Sequence, residues 1–141
     1  MKPLNILILT YQGVIAGSTM SISYLAKGLA EKGHQVTLAC KAESIYVSLL
    51  GNTDVKIEHL PFSSKWDRES MRMIRDIVLR DKIEIINAQA SKDRYISIFA
   101  RWIYKLPVKL VHTRRQMPMS VGGIQSWFYT IGTDQVIAVS N

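Results

Sequence analysis

The sequence lacks several features that would define a particular class of protein. Cys40 is the only cysteine among the 141 residues, which excludes an intrachain disulfide and any metal site built from several cysteines. No apolar run approaches the roughly 20 residues of a membrane-spanning helix, and the short apolar run near the start is not followed by a signal-peptide cleavage site. Internal repeats, low-complexity tracts and Pro/Gly linkers are missing as well. These absences predict one domain, residues 1–141, in a cytoplasmic compartment where thiols stay reduced.

Acidic residues are scarce in one short stretch of the chain. Lys and Arg number 18 against 11 Asp and Glu, which gives a formal net charge of +7. Residues 92–115 hold seven of the basic residues and a single acidic one, Asp93. A local positive field of this kind attracts phosphates, nucleic acid or anionic lipid. An ordinary solvated surface explains the same charge, so both interpretations stay open.

The hydrophobic pattern predicts alternating strands and helices. Ile22, Leu25, Ala26 and Leu29 recur at the spacing of one helix face, and short apolar runs separate the helical segments. We predict strands over residues 4–10, 35–40, 55–60, 83–87, 108–112 and 135–139, and helices over residues 18–32, 43–50, 67–81 and 93–105. In the last of these helices, the residues predicted to face the core are Tyr95, Phe99, Trp102 and Ile103.

This alternation predicts an α/β fold. Because strands separated by helices pair in parallel through right-handed crossovers, we expect a Rossmann-like, doubly wound parallel sheet of about six strands in the order 3-2-1-4-5-6. Ser140 and Asn141 follow the last strand and are residue types that cap helices. We therefore expect the chain to be the N-terminal part of a longer protein, with a complete small domain as the alternative.

In such a sheet, ligands bind at the carboxyl ends of the strands. The loop after the first strand holds Gly13, Gly17 and Ser18, where glycines admit a close ligand and the start of a helix offers N–H groups to a phosphate. The spacing is neither that of a GxGxxG dinucleotide loop nor that of a P-loop. A loop that only makes the strand-to-helix turn explains these glycines equally well.

Two further loops bring cations to the same edge. Lys92 and Arg94 open the helix after the fourth strand, where cations add to the attraction of a helix N-terminus for anions. His112, Arg114 and Arg115 follow the fifth strand, where the imidazole could hydrogen-bond a sugar hydroxyl and the guanidinium groups could hold a phosphate. The alternative is a buried structural histidine beside surface arginines.

Signatures of metal and nucleophile chemistry are absent from the sequence. No pair of His, Asp or Glu has the spacing of a metal site, and no serine elbow of the GxSxG type occurs. We therefore expect neither a bound metal nor a cofactor.

Five segments, in their order and spacing, resemble the N-terminal domain of GT-B glycosyltransferases, in particular the retaining family 4 group. They are ILILTYQGVIAGS, LAKGLAEKGHQVTL, INAQASKDRY, KLVHTRR and TDQVIAVSN, and the likeness runs over the whole chain. The chain departs from the family pattern at three positions. Asn87 and Gln89 stand where the family usually has His-x-His, and Asn141 stands where it usually has Glu.

The resemblance implies roles for individual residues. Gly17 matches the glycine that approaches the donor diphosphate and the acceptor, with Gly13 and Ser18 beside it in the substrate-binding loop. His112 matches the histidine that touches the transferred sugar and is the expected catalytic residue. The residues implied to line the acceptor side are Lys92, Arg94, Arg114 and Arg115.

The resemblance also implies the reaction and the partners. In the family a C-terminal domain, which these residues do not contain, binds the nucleotide, so we expect this half to bind substrate without turnover. The whole protein is expected to transfer a sugar from a nucleotide sugar, with retained configuration and without metal or cofactor, to a saccharide or lipid-linked acceptor in lipopolysaccharide or other cell-envelope glycan synthesis. The clustered positive charge suits an anionic acceptor and a peripheral contact with the inner face of the membrane.

Other functions compete with this interpretation. The chain could be a non-catalytic subunit that recruits a separate donor-binding chain to the membrane, as in split glycosyltransferases. A small nucleotide-binding Rossmann module is a further possibility, although the sequence has no phosphate-binding fingerprint. We expect no nucleic-acid partner, because the basic residues are not interleaved with aromatic residues in the manner of a known nucleic-acid module.

Overall fold

The computed structural model describes residues 3–10, 17–41, 45–63, 67–89, 91–114 and 135–138, and of these the backbone alone at residues 17–19, 91, 92, 112–114 and 135–138. Strands and helices alternate along the described chain. They are β1 (Asn5–Leu9), α1 (Gly17–Glu31), β2 (Gln35–Cys40), α2 (Tyr46–Leu50), β3 (Lys56–His59), α3 (Arg68–Asp81), β4 (Ile85–Ala88), α4 (Ser91–Tyr104), β5 (Lys109–Arg114) and β6 (Gln135–Ala138).

The strands form one parallel sheet in the order β3-β2-β1-β4-β5-β6, which confirms the predicted fold class and strand order. β1 is central and pairs with β2 on one side and β4 on the other. The first two crossovers lead away from β1 toward β3, and the third returns to β4 beside β1. The reversal of direction therefore falls between β1 and β4, where doubly wound sheets bind their ligands.

The core has two layers because successive strand residues point to opposite faces of the sheet. Ile8 and Leu38 face α1 and α2, and their cluster includes Ala26 and Tyr46. Residues one position along in the strands pack on the other side, against α3 and α4. The buried residues of that second cluster include Leu7, Leu9, Ile74, Ile86, Ile96 and Leu110.

Capping residues mark where the helices begin and end. Asp67 lies just before α3, and its carboxylate accepts hydrogen bonds from the backbone N–H groups of Glu69 and Ser70, at 3.1 and 3.3 Å. Gly33 follows α1 with a φ of +95°, a left-handed conformation that glycine adopts without a Cβ clash. The predicted helix over residues 43–50 is shorter in the structure, where α2 begins at Tyr46. Residues 42–44 lie outside the described chain.

The prediction of which side of α4 faces the core is wrong for Trp102 and Ile103, which are 47% and 61% exposed. Phe99 is partly buried and does pack against the core, and Tyr95 is partly buried. The buried face of α4 instead holds residues at the i, i+3, i+4 and i+7 spacing of one helix side. Two of them, Asp93 and Ser97, are polar, so hydropathy alone favoured the opposite, aromatic side. The four buried residues at this spacing are Asp93, Ile96, Ser97 and Ala100.

Candidate functional site

The register of the sheet places His112 in a row of residues at the carboxyl ends of the central strands. In the register of the sheet, Leu9 lies beside Ala88, Ala88 beside His112, and His112 beside Val136. Neighbouring strands lie about 4.8 Å apart, so the two ends of this row, Leu9 and Val136, are separated by three strand spacings. The backbone of His112 is thus one strand away from β4 and two strands away from β1.

β5 extends further than the sequence predicted. The expected strand ended at His112, with Arg114 in the following loop, but β5 continues to Arg114, which pairs with Ala138 of β6. The additional pairing with β6 accounts for the extension, because it satisfies backbone groups that a loop would leave to solvent. Arg114 therefore lies on a strand rather than on a loop.

Two buried amide side chains mark the end of β4. Asn87 and Gln89 are both buried, and the Gln89 side-chain amide donates a hydrogen bond to Oδ1 of Asn87. The backbone N–H of Gln89 donates to the carbonyl of Leu9 at 3.2 Å, which ties the end of β4 to the end of β1. These are the two positions where the resembled family usually has histidines. A buried, neutral amide pair therefore occupies the middle of the candidate site.

A second polar pair, which was not predicted from the sequence, lies at the end of β1. Thr10 and Tyr46 are both buried, and the hydroxyl oxygens Oγ1 and Oη lie 3.4 Å apart. The backbone N–H of Thr10 donates to the carbonyl of Ala39 at 3.0 Å. A polar residue directly after the apolar run of β1 was the available signal for Thr10. Nothing local marked Tyr46, which reaches the edge from α2.

Two helices begin at this edge and point their N-termini toward it. α1 begins at Gly17 after β1, and α4 begins at Ser91 after β4. Helix N-termini carry partial positive charge and N–H groups without intrahelical partners, which favours anions. Asp93 in the first turn of α4 is fully buried and favourably placed for the helix dipole, whereas Arg94 is partly buried beside it.

The structure describes the backbone position of most of the predicted site residues, and the side chain of Arg94 as well. The backbone positions of Gly17, Ser18, Lys92, His112 and Arg114 all lie at or next to the carboxyl edge. Among the predicted site residues with a side chain, Arg94 alone has its side chain described. Two predicted residues lie outside the described chain, namely Gly13 and Arg115.

Carboxylates with a shifted pKa serve structural roles. Burial tends to raise the pKa of Asp67, but hydrogen bonds from Ser63 and Ser70 outweigh this effect and lower it. The pKa of Asp81 is lowered chiefly by hydrogen bonding from Arg80, which also pairs with Glu58 at the edge of the sheet. These groups fix α3 and its contact with β3, and they are not part of the row that includes His112.

A surface cleft of about 230 Å³ lies at the opposite edge of the sheet. Its lining includes Asn5, Gln35 and Lys56, the first residues of β1, β2 and β3. Asp54 and Asp81 complete its charged lining. Because it opens at the amino ends of the strands, it is separated from His112 by the length of the sheet.

Neither a metal cluster nor a membrane span occurs in the part of the chain that the structure describes. In that part, no group of three His, Cys, Asp or Glu residues could hold a metal ion. Likewise, none of the helices in the described ranges is long and apolar enough to cross a bilayer.

Comparison with known families identifies the class of protein. Glycosyltransferase Family 4 matches residues 15–141, which is most of the chain. The chain therefore belongs to this family, and its fold is the N-terminal Rossmann-like half of a GT-B glycosyltransferase. A search of curated proteins gave no sequence match.

Three of the solved structures with a similar fold are glycosyltransferases of distant sequence. A glycosyltransferase from Rickettsia africae ESF-5 superimposes with a TM-score of 0.79 at 16% identity, over 99% of this chain and 37% of that one. MurG from Acinetobacter baumannii gives 0.69 at 11% identity, over 97% and 41%. Anabaena HepE, solved with UDP and glucose, gives 0.59 at 19% identity, over 80% and 30%. This chain spans less than half the length of each of these structures, and at such identities the likeness shows the fold alone.

Proposed function

We propose that this chain is the acceptor-binding half of a retaining glycosyltransferase that moves a sugar from a nucleotide sugar to a saccharide or lipid-linked acceptor of the cell envelope. The main support is the convergence of two helix N-termini, the buried amides of β4 and the backbone of His112 at one edge, within a family of glycosyltransferases. The nucleotide-binding part of the reaction belongs to the half of the fold that these residues do not contain.

The donor diphosphate is the first substrate group assigned to this edge. As the anomeric carbon–oxygen bond breaks, the departing diphosphate gains negative charge. The start of α1 at Gly17 and Ser18 offers backbone N–H groups and a positive dipole end, so it stabilises this charge without a metal. Gly13, in the preceding loop of the sequence, is assigned to the same group. HepE, a structural neighbour, was solved with UDP and glucose, which is consistent with a nucleotide-sugar donor.

His112 is assigned to the transferred sugar. Its backbone lies beside Ala88 at the edge, and a neutral imidazole can both donate to and accept from sugar hydroxyls. In the proposed step the bond between the anomeric carbon and the diphosphate breaks, a bond to the acceptor oxygen forms on the same face of the sugar, and the proton of the acceptor hydroxyl passes to an oxygen of the departing diphosphate. His112 holds the sugar in position for this exchange.

The acceptor is assigned to the basic side of the edge. Cations around the ends of β4 and β5 suit an anionic acceptor, such as a phosphorylated or lipid-linked saccharide. Asn87 and Gln89 carry neutral amides, which bind hydroxyl groups and do not titrate near neutral pH. The cationic residues assigned to the acceptor are Lys92, Arg94, Arg114 and Arg115.

Steady-state kinetics of the full protein with radiolabelled nucleotide sugars test this assignment. We expect His112→Ala to lower kcat by about 100-fold or more, because a positioned catalytic side chain is lost. We expect the double variant Arg114→Ala/Arg115→Ala to raise the acceptor KM about tenfold or more, because charge-assisted hydrogen bonds to the acceptor are lost. The matched control is Lys27→Ala/Lys32→Ala, which removes two exposed cations toward the amino edge.

The outcomes separate this proposal from its alternative. Acceptor kinetics that are unchanged in the double arginine variant would overturn the acceptor assignment. If the full protein transfers no sugar by itself but restores transfer when a separate donor-binding chain is added, the non-catalytic subunit is the correct interpretation.

A further inference from the structure

The residue that follows β1 is joined to α2 by a buried contact between two hydroxyl groups. The backbone N–H of Thr10 donates to the carbonyl of Ala39 at 3.0 Å, which continues the pairing of β1 with β2 by one residue. Oγ1 of Thr10 lies 3.4 Å from Oη of Tyr46, the first residue of α2. Both side chains are buried, at 1% and 0% exposure. Thr10 is therefore held from two sides, by β2 through its backbone and by α2 through its side chain.

Packing alone does not explain the hydroxyl group of Tyr46. Its ring belongs to the apolar cluster that contains Ile8 and Leu38, where a phenylalanine ring would fill the same space. Burying a hydroxyl group costs free energy unless the group has a hydrogen-bonding partner. The partner that Thr10 supplies lies at the carboxyl edge of the sheet, so the tyrosine oxygen serves this edge rather than the core.

α2 gives this contact a fixed support. It has five residues, and Tyr46 and Leu50 are buried at its two ends. A helix this short is not stable by itself, so the burial of these two side chains fixes its position. The backbone N–H groups of Ser48 and Leu49 donate to the carbonyl of Ile45 at 3.0 and 3.1 Å and close the turn that carries Tyr46. The hydroxyl group is thus presented from an anchored turn.

Thr10 and the start of α1 belong to the same face of the sheet. Ile8, two residues before Thr10, lies in the core layer that α1 and α2 cover. Residues i and i+2 of an extended chain point to the same side, and the contact with Tyr46, a member of that layer, agrees with this. Residues 11–16 connect Thr10 to Gly17, where α1 begins. The position of Thr10 therefore sets where this connection starts.

We propose that Tyr46 is a positioning residue for sugar transfer. Its hydroxyl group holds Thr10, and with it the end of β1 from which the chain runs to the N-terminus of α1. That helix start takes the donor diphosphate in the proposed function, on which this inference rests. Because Tyr46 is fully buried, it acts through Thr10 rather than by touching the substrate.

The expected effect falls on the chemical step. Hydrogen-bond donors stabilise the charge of a departing diphosphate when they are already in place before the bond breaks. A misplacement of about 1 Å can lower a rate by about 100-fold. A loosened end of β1 should therefore lower kcat, whereas the KM of the acceptor, which the basic side of the edge binds, should stay nearly constant.

Steady-state kinetics of the full protein test the role of the hydroxyl group. The probes are radiolabelled UDP-, ADP- and GDP-sugars as donors and a glycolipid extract of the cell envelope as acceptor. We expect Tyr46→Phe, which removes one oxygen and keeps the ring, to lower kcat about tenfold and to change the acceptor KM less than about twofold. Thr10→Val should lower kcat to a similar degree. Thr10→Ser, which keeps the hydroxyl group, should retain most of the wild-type kcat.

The double variant Tyr46→Phe/Thr10→Val shows whether the two hydroxyl groups act together. Its kcat should be no lower than that of the more impaired single variant, because the second substitution removes a contact that is already lost. The matched controls are Tyr104→Phe in the last turn of α4 and Thr37→Val, a buried position on β2. They remove the same chemical groups elsewhere and should leave kcat unchanged. Circular dichroism confirms that every variant keeps its fold.

Two results with an active wild-type protein would overturn the positioning role. One is a kcat of Tyr46→Phe within about twofold of the wild type, since the hydroxyl group would then be purely structural. The other is a loss that appears only in the acceptor KM, because the end of β1 would then serve the acceptor instead of the diphosphate. A wild-type protein that transfers no sugar from any of these donors would overturn the proposed function, and the positioning role with it.

Discussion

At the scale of single residues, buried polar groups show where this fold needs precise geometry. Thr10, Asn87 and Gln89 sit at the ends of apolar strands, and each is buried. Burying a polar group is costly unless it is hydrogen-bonded, so these residues must keep defined partners. Such pairing makes the carboxyl edge a rigid platform, which is what a substrate-binding edge requires.

Asp67 provides the clearest residue-scale prediction. Its carboxylate accepts hydrogen bonds from the N–H of Ser63, the N–H of Glu69, and both the N–H and the hydroxyl of Ser70. We expect Asp67→Ala to lower the free energy of unfolding by about 1–3 kcal/mol, because a helix cap and a buried acceptor are lost together. Urea denaturation at pH 7 measures this, with exposed Asp54→Ala as a control that should change stability by less than about 0.5 kcal/mol.

The same carboxylate makes the difference depend on pH. The pKa of Asp67 is lower in the folded chain than the value of about 3.9 expected in the unfolded chain. Its stabilisation is therefore fully present above the unfolded pKa and is lost as the pH falls through the folded pKa. The stability gap between wild type and Asp67→Ala should shrink below about pH 4. A gap that stayed constant from pH 7 to pH 3 would contradict this account.

At the scale of elements, each helix is held by the face it buries rather than by its average composition. α3 shows this well, because Ile74 is fully buried under the sheet whereas Leu79, on the same helix, is 61% exposed. Both residues are large and aliphatic, so hydrophobicity alone does not distinguish them. Position on the helix does, since only one side meets the second core layer.

This contrast predicts different costs for the same truncation. We expect Ile74→Ala to lower the free energy of unfolding by about 2–5 kcal/mol, because it removes buried methyl groups and leaves a cavity. Leu79→Ala on the exposed side should cost less than about 0.5 kcal/mol. Thermal or urea denaturation of both variants gives the comparison. Equal losses would mean that Leu79 is covered in solution by a partner or by another part of the protein.

At the scale of the whole molecule, the chain has the size and fold of one half of its structural neighbours. It spans 37% of the Rickettsia africae enzyme and 41% of the Acinetobacter baumannii MurG chain. In the two superpositions, 99% and 97% of this chain is covered. The carboxyl edge, which would face the second half of a GT-B fold, is where the predicted substrate residues lie. In the proposed function, this edge forms one half of a two-part cleft.

The proposed function predicts that this half of the fold by itself binds nucleotide only weakly. We expect the 141-residue chain to bind UDP with a Kd above about 1 mM and to hydrolyse no UDP-sugar, because the family resemblance assigns the nucleotide to the other half. Isothermal titration calorimetry with UDP, ADP and GDP, beside a hydrolysis assay, checks this. Micromolar binding of any of these nucleotides by the chain alone would show that this half holds the nucleotide.

The order of elements and the strand order were predictable from the sequence. The sequence has apolar runs of strand length, separated by segments with helical periodicity. Because crossovers between parallel strands are right-handed, few strand orders fit this pattern, and the strands follow the predicted order. The sequence also placed His112, Gly17 and Arg94 at or after the ends of strands, where the structure has them, while their roles stay predictions. These features depend on local pattern and on general rules of chain connection.

The tertiary structure decided what local pattern could not. It buried Asp93 and Ser97 and turned Trp102 and Ile103 outward, because contacts with the sheet and α3 choose the buried side of α4. Tyr46 likewise meets Thr10 across 36 positions of sequence, a contact that no local pattern records. Sequence alone thus determined which elements form and in what order they pair. Only the packed molecule determined which side chains they bury and which they present, since burial depends on neighbours that are distant in the chain.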